Sequence, residues 1–402
     1  MTTTPPKERG GLADPPLAEQ LATLWLHGGW DARLSPALAW TRVHGALSMP
    51  ASDVLAQLPT LGPVDGYLDE ADVTDIHLNG PGREVMIRRA GDPIEIATRS
   101  TWHADWYPWL CARLAARGRG RHDAAHMAGT IDMTRPGRPT CLIRYEVVMP
   151  PVCVHGPALT LRILRPGAYT LERLVAEHVL SAAAAEVLAC CVRANVDVFI
   201  AGTAGVGKTT LAQALLAQVA GQRLVCIEDV PELVLPDDHA VHLGLAGASA
   251  LSYGDLVRMA LRMNAARVVV GETRGPEAYA VLAAARNGYP VLTTLHGDSA
   301  RHGLDNLVTM ALEAGETHAQ IDVVHAMINA RPAVVVGLGR IGGLRRVVEI
   351  LEVERQFGAA RPATEVLFAR EGDRLQPRTH GSHELRARLA NANALPAAYR
   401  LR

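Results

Sequence analysis

Lysine is almost missing from this chain. Of the 40 basic residues among 402, only Lys7 and Lys208 are lysines, and the rest are arginines. Aromatic residues are scarce as well, at 4%, and acids and bases nearly cancel to a net charge of −1. Such a chain offers neither a global field for nucleic acid or anionic lipid nor a basic stripe interleaved with aromatics. No apolar run is long enough to span a bilayer, and residues Met1–Pro16 lack the apolar core of a signal peptide. A cytoplasmic chain without membrane insertion is therefore expected. The six cysteines (Cys111, Cys141, Cys153, Cys190, Cys191, Cys226) show no metal-ligand spacing and read as buried thiols in a reducing compartment.

What is present gives the one internal lysine a reason. Residues Gly202 to Thr209 read Gly-Thr-Ala-Gly-Val-Gly-Lys-Thr, a full match to the phosphate-loop pattern. A compact ammonium fits between the β- and γ-phosphates of a nucleotide, where a planar guanidinium fits poorly. The flanks agree: Val196–Ala201 is a short apolar strand, and Leu211, Leu215 and Val219 recur at helical spacing. The expected nucleotide cradle is Gly202, Thr203, Ala204, Gly205, Val206, Gly207, Lys208, Thr209 and Thr210. The Thr209 hydroxyl is the expected ligand of Mg²⁺, so ATP and Mg²⁺ are the expected cofactors.

Residues 1–16 read as a Pro/Gly/Thr-rich tail and 17–60 as a helical extension. Residues 61–165 read as a smaller α+β domain. It holds a hairpin (Val73–Asn79, Glu84–Arg89), a helix over Thr101–Arg117, and strands Cys141–Val148 and Ala158–Ile163. Trp102, Trp106 and Trp109 fall on one face of that helix, which fits core packing better than a stacking platform for bases. Residues 166–194 read as a helical connector. From 195 to 370 strands alternate with helices: Asp197–Ala201, Leu224–Ile227, Val268–Gly271, Val291–Leu295 and Ala333–Leu338. That alternation predicts a mostly parallel sheet covered on both faces. Residues 371–402, with six arginines against three acids, read as a solvated tail.

In such a sheet the ligand sits at the carboxyl ends of the strands. The polar residues that directly follow the strands are Gly202–Thr209, Glu228-Asp229, Glu272 and His296. Glu272 occupies the place of a Walker B acid and is long enough to reach an attacking water. Glu228, Asp229 and Glu232 form either a solvated turn or a carboxylate set near the metal. His296 stands where it would sense the γ-phosphate.

These segments, in order, resemble the secretion and type IV pilus ATPase superfamily. The resemblance rests on the phosphate loop, an Asp box (Glu228-Asp229-Val230-Pro231-Glu232-Leu233), a Walker B segment (Val270 to Ala278) and a His box (Gly288 to Gly297). Leu261-Arg262-Met263, Leu61-Gly62-Pro63, Val73 to Gly80 and Leu159-Thr160-Leu161-Arg162 are similar to the branch of tight-adherence pilus assembly ATPases and conjugative type IV secretion ATPases. The resemblance covers about Leu61 to Glu354. It implies a RecA-like phosphate-loop domain behind an α+β N-terminal domain, a homo-hexamer, and docking to a polytopic inner-membrane platform from the cytoplasmic side. It carries over Glu272 as Walker B acid, Glu232 as Asp-box acid, His296 as His-box residue and Arg274 as Walker B arginine. Arg144 and Arg162 carry over as N-domain arginines that reach the phosphates. Either Glu272 or Glu232 would polarise the water.

The chain departs from the pattern at Ala265-Ala266, where Pro-Asp is frequent, at Tyr289, in place of the first His-box histidine, and at Cys141-Leu142-Ile143, where Asp-Gly-Ser is usual. None of these removes a phosphate or Mg²⁺ group. The four-cysteine zinc module of some pilus motors is absent, so no structural metal is expected. A nucleotide-gated assembly component with weak hydrolysis is the alternative, and a RecA-like DNA motor, which would need salt-dependent DNA binding, is a more distant one. Replacing Lys208 with Ala removes the one charge that can bridge both phosphates. Steady-state phosphate release by Lys208→Ala is expected to fall to background, and wild-type turnover would remove the phosphate-loop assignment.

Overall fold

The computed structural model describes residues 61, 64–80, 82–89, 93–101, 110–111, 113–114, 117–123, 125–134, 141–165, 169–228, 231–235, 239–245, 251–314, 321–354 and 362–396. The expected tail (1–16), helical extension (17–60) and three tryptophans of 102–109 lie outside them. The chain divides into two compact units, Met1–Arg165 and Pro166–Arg402.

In the first unit a short helix, α1 (Asp65–Leu68), precedes seven strands: β1 (Val73–Leu78), β2 (Glu84–Arg89), β3 (Ile94–Thr101), β4 (Arg119–His122), β5 (His126–Asp132), β6 (Leu142–Val148) and β7 (Ala158–Leu164). They form one antiparallel sheet in the order β3-β2-β1-β7-β6-β5-β4. Alternation along the strands sends Ile76, Leu78, Ile143, Tyr145, Val147, Leu159 and Leu161 to a buried face with Leu61, Val64, Leu110 and Leu114. The opposite face is polar. The β1–β2 hairpin pairs as the sequence pattern indicated. Thr101, expected to start a helix, instead closes β3. Strands β3, β4 and β5 were not evident from sequence, since Arg119–His122 (Arg-Gly-Arg-His) has no apolar residue to mark it.

The second unit opens with α2 (Leu171–Ala176) and α3 (Ala182–Arg193), capped by the side chains of Thr170 and Ser181. Then follow β8 (Asp197–Gly202), α4 (Lys208–Leu216), β9 (Leu224–Ile227), β10 (Val241–Leu243), α5 (Tyr253–Arg262), β11 (Arg267–Thr273), α6 (Glu277–Arg286), β12 (Val291–Leu295), α7 (Ala300–Glu313) and α8 (Ile321–Ile328). Strands β13 (Ala333–Ile341), β14 (Leu344–Glu354), β15 (Ala363–Glu371) and β16 (Arg374–Pro377) and helix α9 (His383–Asn391) complete it. The strand order is β10-β9-β11-β12-β8-β13-β14-β15-β16. The first six are parallel, and from β13 onward each pair is antiparallel. Strands β8, β9 and β12 are buried at every position, as expected where helices cover both faces. One apolar cluster lies under α3 and α4 and a second under α5 to α8. The segment beyond 370 is not a solvated tail: β16 extends the sheet and α9 buries Leu385 and Leu389 against it. No described helix is long and apolar enough to cross a membrane.

The amino-terminal ends of the parallel strands are fastened by arginine. Arg267 is fully buried, and its Nη1 donates to the carbonyls of Val196 (3.2 Å) and Val291 (3.1 Å), its Nη2 to that of Val192 (2.8 Å). Burial pushes its pKa down to about 10, yet it keeps its charge at neutral pH. Buried Asp197 accepts the Val291 N–H at 2.9 Å and lies 3.6 Å from Arg331 Nε. Arg331 and Arg388 both donate to the Asn195 carbonyl. Removing one member of a buried charged network costs about 3–5 kcal/mol. Arg267→Leu is therefore expected to lower the unfolding free energy measured by urea denaturation by that order, and an unchanged value would show that backbone and charges re-pair without it.

Candidate active site at the strand ends

The candidate site lies at the other end of the same strands. The loop leaves β8 at Gly202 and enters α4 through Gly207, whose φ of 100° is left-handed, a conformation that costs glycine nothing. No side chain caps α4 there, so the first N–H groups of the helix face outward as anion donors. Lys208 is buried and folds back over its own loop. Its Nζ donates to the carbonyls of Gly202 (2.9 Å) and Thr203 (3.3 Å) and lies 3.7 Å from Glu272 Oε1. Burial lowers its pKa, and Glu272 opposes that shift. Thr209 and Thr210, one and two positions on, are half-buried.

Glu272 is the hub. It sits near the end of β11, within an irregularity in the β11–β12 register between Val270 and Thr273. Thr294 Oγ1 donates to the Gly271 carbonyl at 2.8 Å, and the Thr273 and Thr293 hydroxyls pair at 2.8 Å, so both strand ends are fixed. Glu272 Oε1 lies 2.8 Å from His296 Nε2, and Oε2 accepts from Arg274 Nε. Burial raises the carboxyl pKa, but the charge and hydrogen bond of Arg274, with His296 and Lys208, outweigh it and hold Glu272 ionised. The backbone around the hub is pinned too. Arg274 N–H donates to Glu277 Oε1 at 2.6 Å, and the His296 carbonyl accepts from Asn306 Nδ2 at 2.9 Å. Beside Arg274 and His296 opens a cavity of about 320 Å³, lined also by Thr273, Asn306, Thr309 and Met310.

Of the Asp-box acids, Asp229 lies outside the described residues. Glu228 is buried at the end of β9. Its Oε1 accepts the N–H groups of Glu232 (3.1 Å) and Leu233 (3.2 Å), which fastens the loop carrying the half-buried Glu232. Arg144 and Arg162 belong to the first unit. They stand opposite each other on β6 and β7, on the polar face of that sheet. Arg162 Nε donates at 2.9 Å to Asp75, a buried acid opposite it on β1.

Two further arginines went unnoticed in the sequence. Arg340 and Arg345 are register partners at the tip of the β13–β14 hairpin. Arg340 Nη2 lies 3.5 Å from the Gly205 carbonyl, and the Arg345 stem passes beside Gly207, 3.7 Å from where a Cβ would stand there. The signal was the pair of glycines at 342 and 343 between two arginine-bearing strands, a tight turn that returns charge to the sheet's carboxyl end.

A strand, a glycine loop, an uncapped helix and acids at neighbouring strand ends define the phosphate-loop class of α/β proteins. Comparison with known proteins narrows this further. The type II/IV secretion system protein model matches residues 135–332, a span that holds every expected site residue. The type IV secretion system protein VirB11 of Brucella suis is 30% identical over 290 residues, covering 63% of this chain and 77% of the relative. The conjugal transfer protein TrbB of Rhizobium radiobacter is 28% identical over 292 residues, covering 71% and 85%. A crystal structure of the pilus retraction motor PilT with bound ADP shares the fold, at a TM-score of 0.52 and 19% identity, over 73% of this chain and 83% of that one. The chain belongs to the type II/IV secretion system protein family, whose ATPase members bind nucleotide.

Arg345 lies where a bound anion would feel it, at a half-buried position. A charge-assisted hydrogen bond contributes about 1.5–3 kcal/mol, less where water screens it. Arg345→Ala is expected to weaken binding of a fluorescent ADP about tenfold in a titration, and unchanged affinity would leave it a hairpin surface residue.

Proposed function

We propose that this protein is a Mg²⁺-dependent ATPase, a RecA-like motor behind an α+β N-terminal domain, that powers pilus assembly or type II/IV secretion. On this reading it works as a homo-hexamer at the inner face of the cell membrane, against a polytopic membrane platform. The observation that carries the reading is the ionised Glu272 carboxylate in reach of Lys208, His296 and Arg274. Family membership and the secretion and conjugal roles named for two relatives support the machine it would serve.

The donor set fits the ligands. Uncapped N–H groups at Gly207 and a lysine resting on carbonyls it can leave suit phosphate oxygens, and the Thr209 hydroxyl is a hard oxygen donor suited to Mg²⁺. Mg²⁺ would be held by Thr209, with Glu228 and Asp229 as further candidates, and supplies neutralisation of phosphate charge. Lys208 would swing from the Gly202 and Thr203 carbonyls to the β- and γ-phosphates. Glu272 would then orient and polarise the attacking water, with Glu232 as the competing base. His296, 2.8 Å from the same carboxylate, would couple the state of the γ-phosphate to Glu272. Arg274, Arg144 and Arg162 would stabilise charge as the phosphoryl group leaves. Asp75, which accepts from Arg162 Nε, leaves the rest of that guanidinium for an incoming anion.

Glu272→Gln keeps the size and hydrogen bonding but removes the base. ATP should still bind while turnover drops about 10²-fold or more. Normal turnover in Glu272→Gln beside a dead Glu232→Gln would move the water-polarising role to the Asp box. In the same assay Arg162→Ala is expected to lose most turnover while retaining ADP binding, and unchanged turnover would confine that arginine to its pairing with Asp75.

A further inference from the structure

A second constellation lies on the edge of the same sheet, and the reaction proposed above does not use it as a set. Cys226 and His242 are direct register partners on the parallel strands β9 and β10, so their side chains leave the sheet on one face. Glu228, two residues after Cys226, leaves on that face as well. Cys226 Sγ lies 3.5 Å from Glu228 Oε2, and His242 Nδ1 also lies 3.5 Å from Glu228 Oε2. All three ligand atoms fall within 4.8 Å of one another.

The two separations from Glu228 Oε2 match a coordination polyhedron. Zinc takes sulfur at about 2.3 Å and carboxylate oxygen at about 2.0–2.2 Å, which at the tetrahedral angle puts sulfur and oxygen about 3.5 Å apart. Nitrogen and oxygen ligands stand only slightly closer. The support around Glu228 is that of a built site. Its other oxygen is tied by two backbone N–H groups, which fixes the carboxylate plane as outer hydrogen bonds do for metal ligands. Gly271 on β11 leaves it room, since a Cβ there would stand 2.7 Å from Glu228 Cγ. Cys226 and Glu228 are buried, whereas the His242 side chain is 36% exposed, so a cation has an entry from the sheet edge.

We propose that Cys226, Glu228 and His242 form a three-ligand site for a borderline-soft divalent cation of the zinc class, with water as fourth ligand. A thiol with an imidazole selects such a cation over Mg²⁺ or Ca²⁺, which take oxygen. On binding, the Cys226 thiol gives its proton to solvent and the metal takes its place beside Glu228. The site shares Glu228 with the Asp box, whereas Cys226 and His242 have no part in the reaction proposed above, so binding that depends on those two residues is read separately from that activity.

The test uses the full chain, stripped with chelator and free of nucleotide, titrated with Co²⁺. One equivalent should produce a sulfur-to-cobalt charge-transfer band and the intense visible bands of tetrahedral Co²⁺, and Zn²⁺ should bleach both. Cys226→Ala should abolish the charge-transfer band, while Cys153→Ala, at a residue outside the cluster, should leave it intact. His242→Ala, at an exposed edge position where folding is not at stake, should weaken Co²⁺ binding about tenfold or more, as loss of a supporting group does elsewhere. No sulfur band at saturating Co²⁺, a band that survives in Cys226→Ala, or unchanged affinity in His242→Ala would each overturn the proposal.

Discussion

One carboxylate gathers the strand ends. Glu272 draws Lys208 from the glycine loop, His296 from the end of the next strand and Arg274 from its own turn to a single point. Without it two cations and an imidazole would repel or ignore one another. The carboxylate in turn depends on them, because its partial burial alone would push it toward the neutral acid. The hydroxyl pair of Thr273 and Thr293 and the bond from Thr294 to Gly271 set where that point lies. On the proposed reading, a rigid frame of this kind is what allows a carboxylate to meet a water molecule in a fixed direction.

The two ends of the parallel sheet divide the labour. At the carboxyl ends charge is partly exposed and has several partners within reach. At the amino ends Arg267, Arg331 and Arg388 are committed to backbone carbonyls. The scarcity of lysine fits this division. Guanidinium groups, with several fixed donors each, can staple two or three carbonyls at once, whereas a lone ammonium is kept for a place where a charge has to move.

Much of the second unit was legible in the sequence because fully buried parallel strands are continuous apolar runs, and turn glycines bound them. Val268–Gly271 and Ala333–Leu338 were each recognised, short by one to three residues at the ends where polar residues complete the strand. The charged start of β11 hid Arg267, which reads as a surface residue ahead of a strand and is a core residue. Residues 371–402 were misread because α9 buries only two leucines, and its arginines dominate the composition. The Cys226–His242 pairing was beyond reach for another reason. Sixteen positions apart, they meet only through a strand pairing that no local pattern announces. Arg340 and Arg345 needed the antiparallel turn at β13–β14, which a reading of alternating strands and helices does not anticipate. In the first unit the apolar alternation disclosed β1, β2, β6 and β7, but the edge strand β4 carries no apolar residue to show it.

The posture of Lys208 has a thermodynamic side. Its ammonium is already satisfied by two carbonyls and a carboxylate, so it is not a bare cation awaiting any anion. On the proposed reading, a ligand's phosphates would have to outcompete contacts of the same kind, and the affinity would be the difference between two well-made sets of bonds. Stray phosphate or sulfate, able to match only part of the exchange, gains little. A polyphosphate that reaches the helix N-terminus and the ammonium together gains on both. On the proposed reading, the loop would thereby discriminate by the span of its ligand.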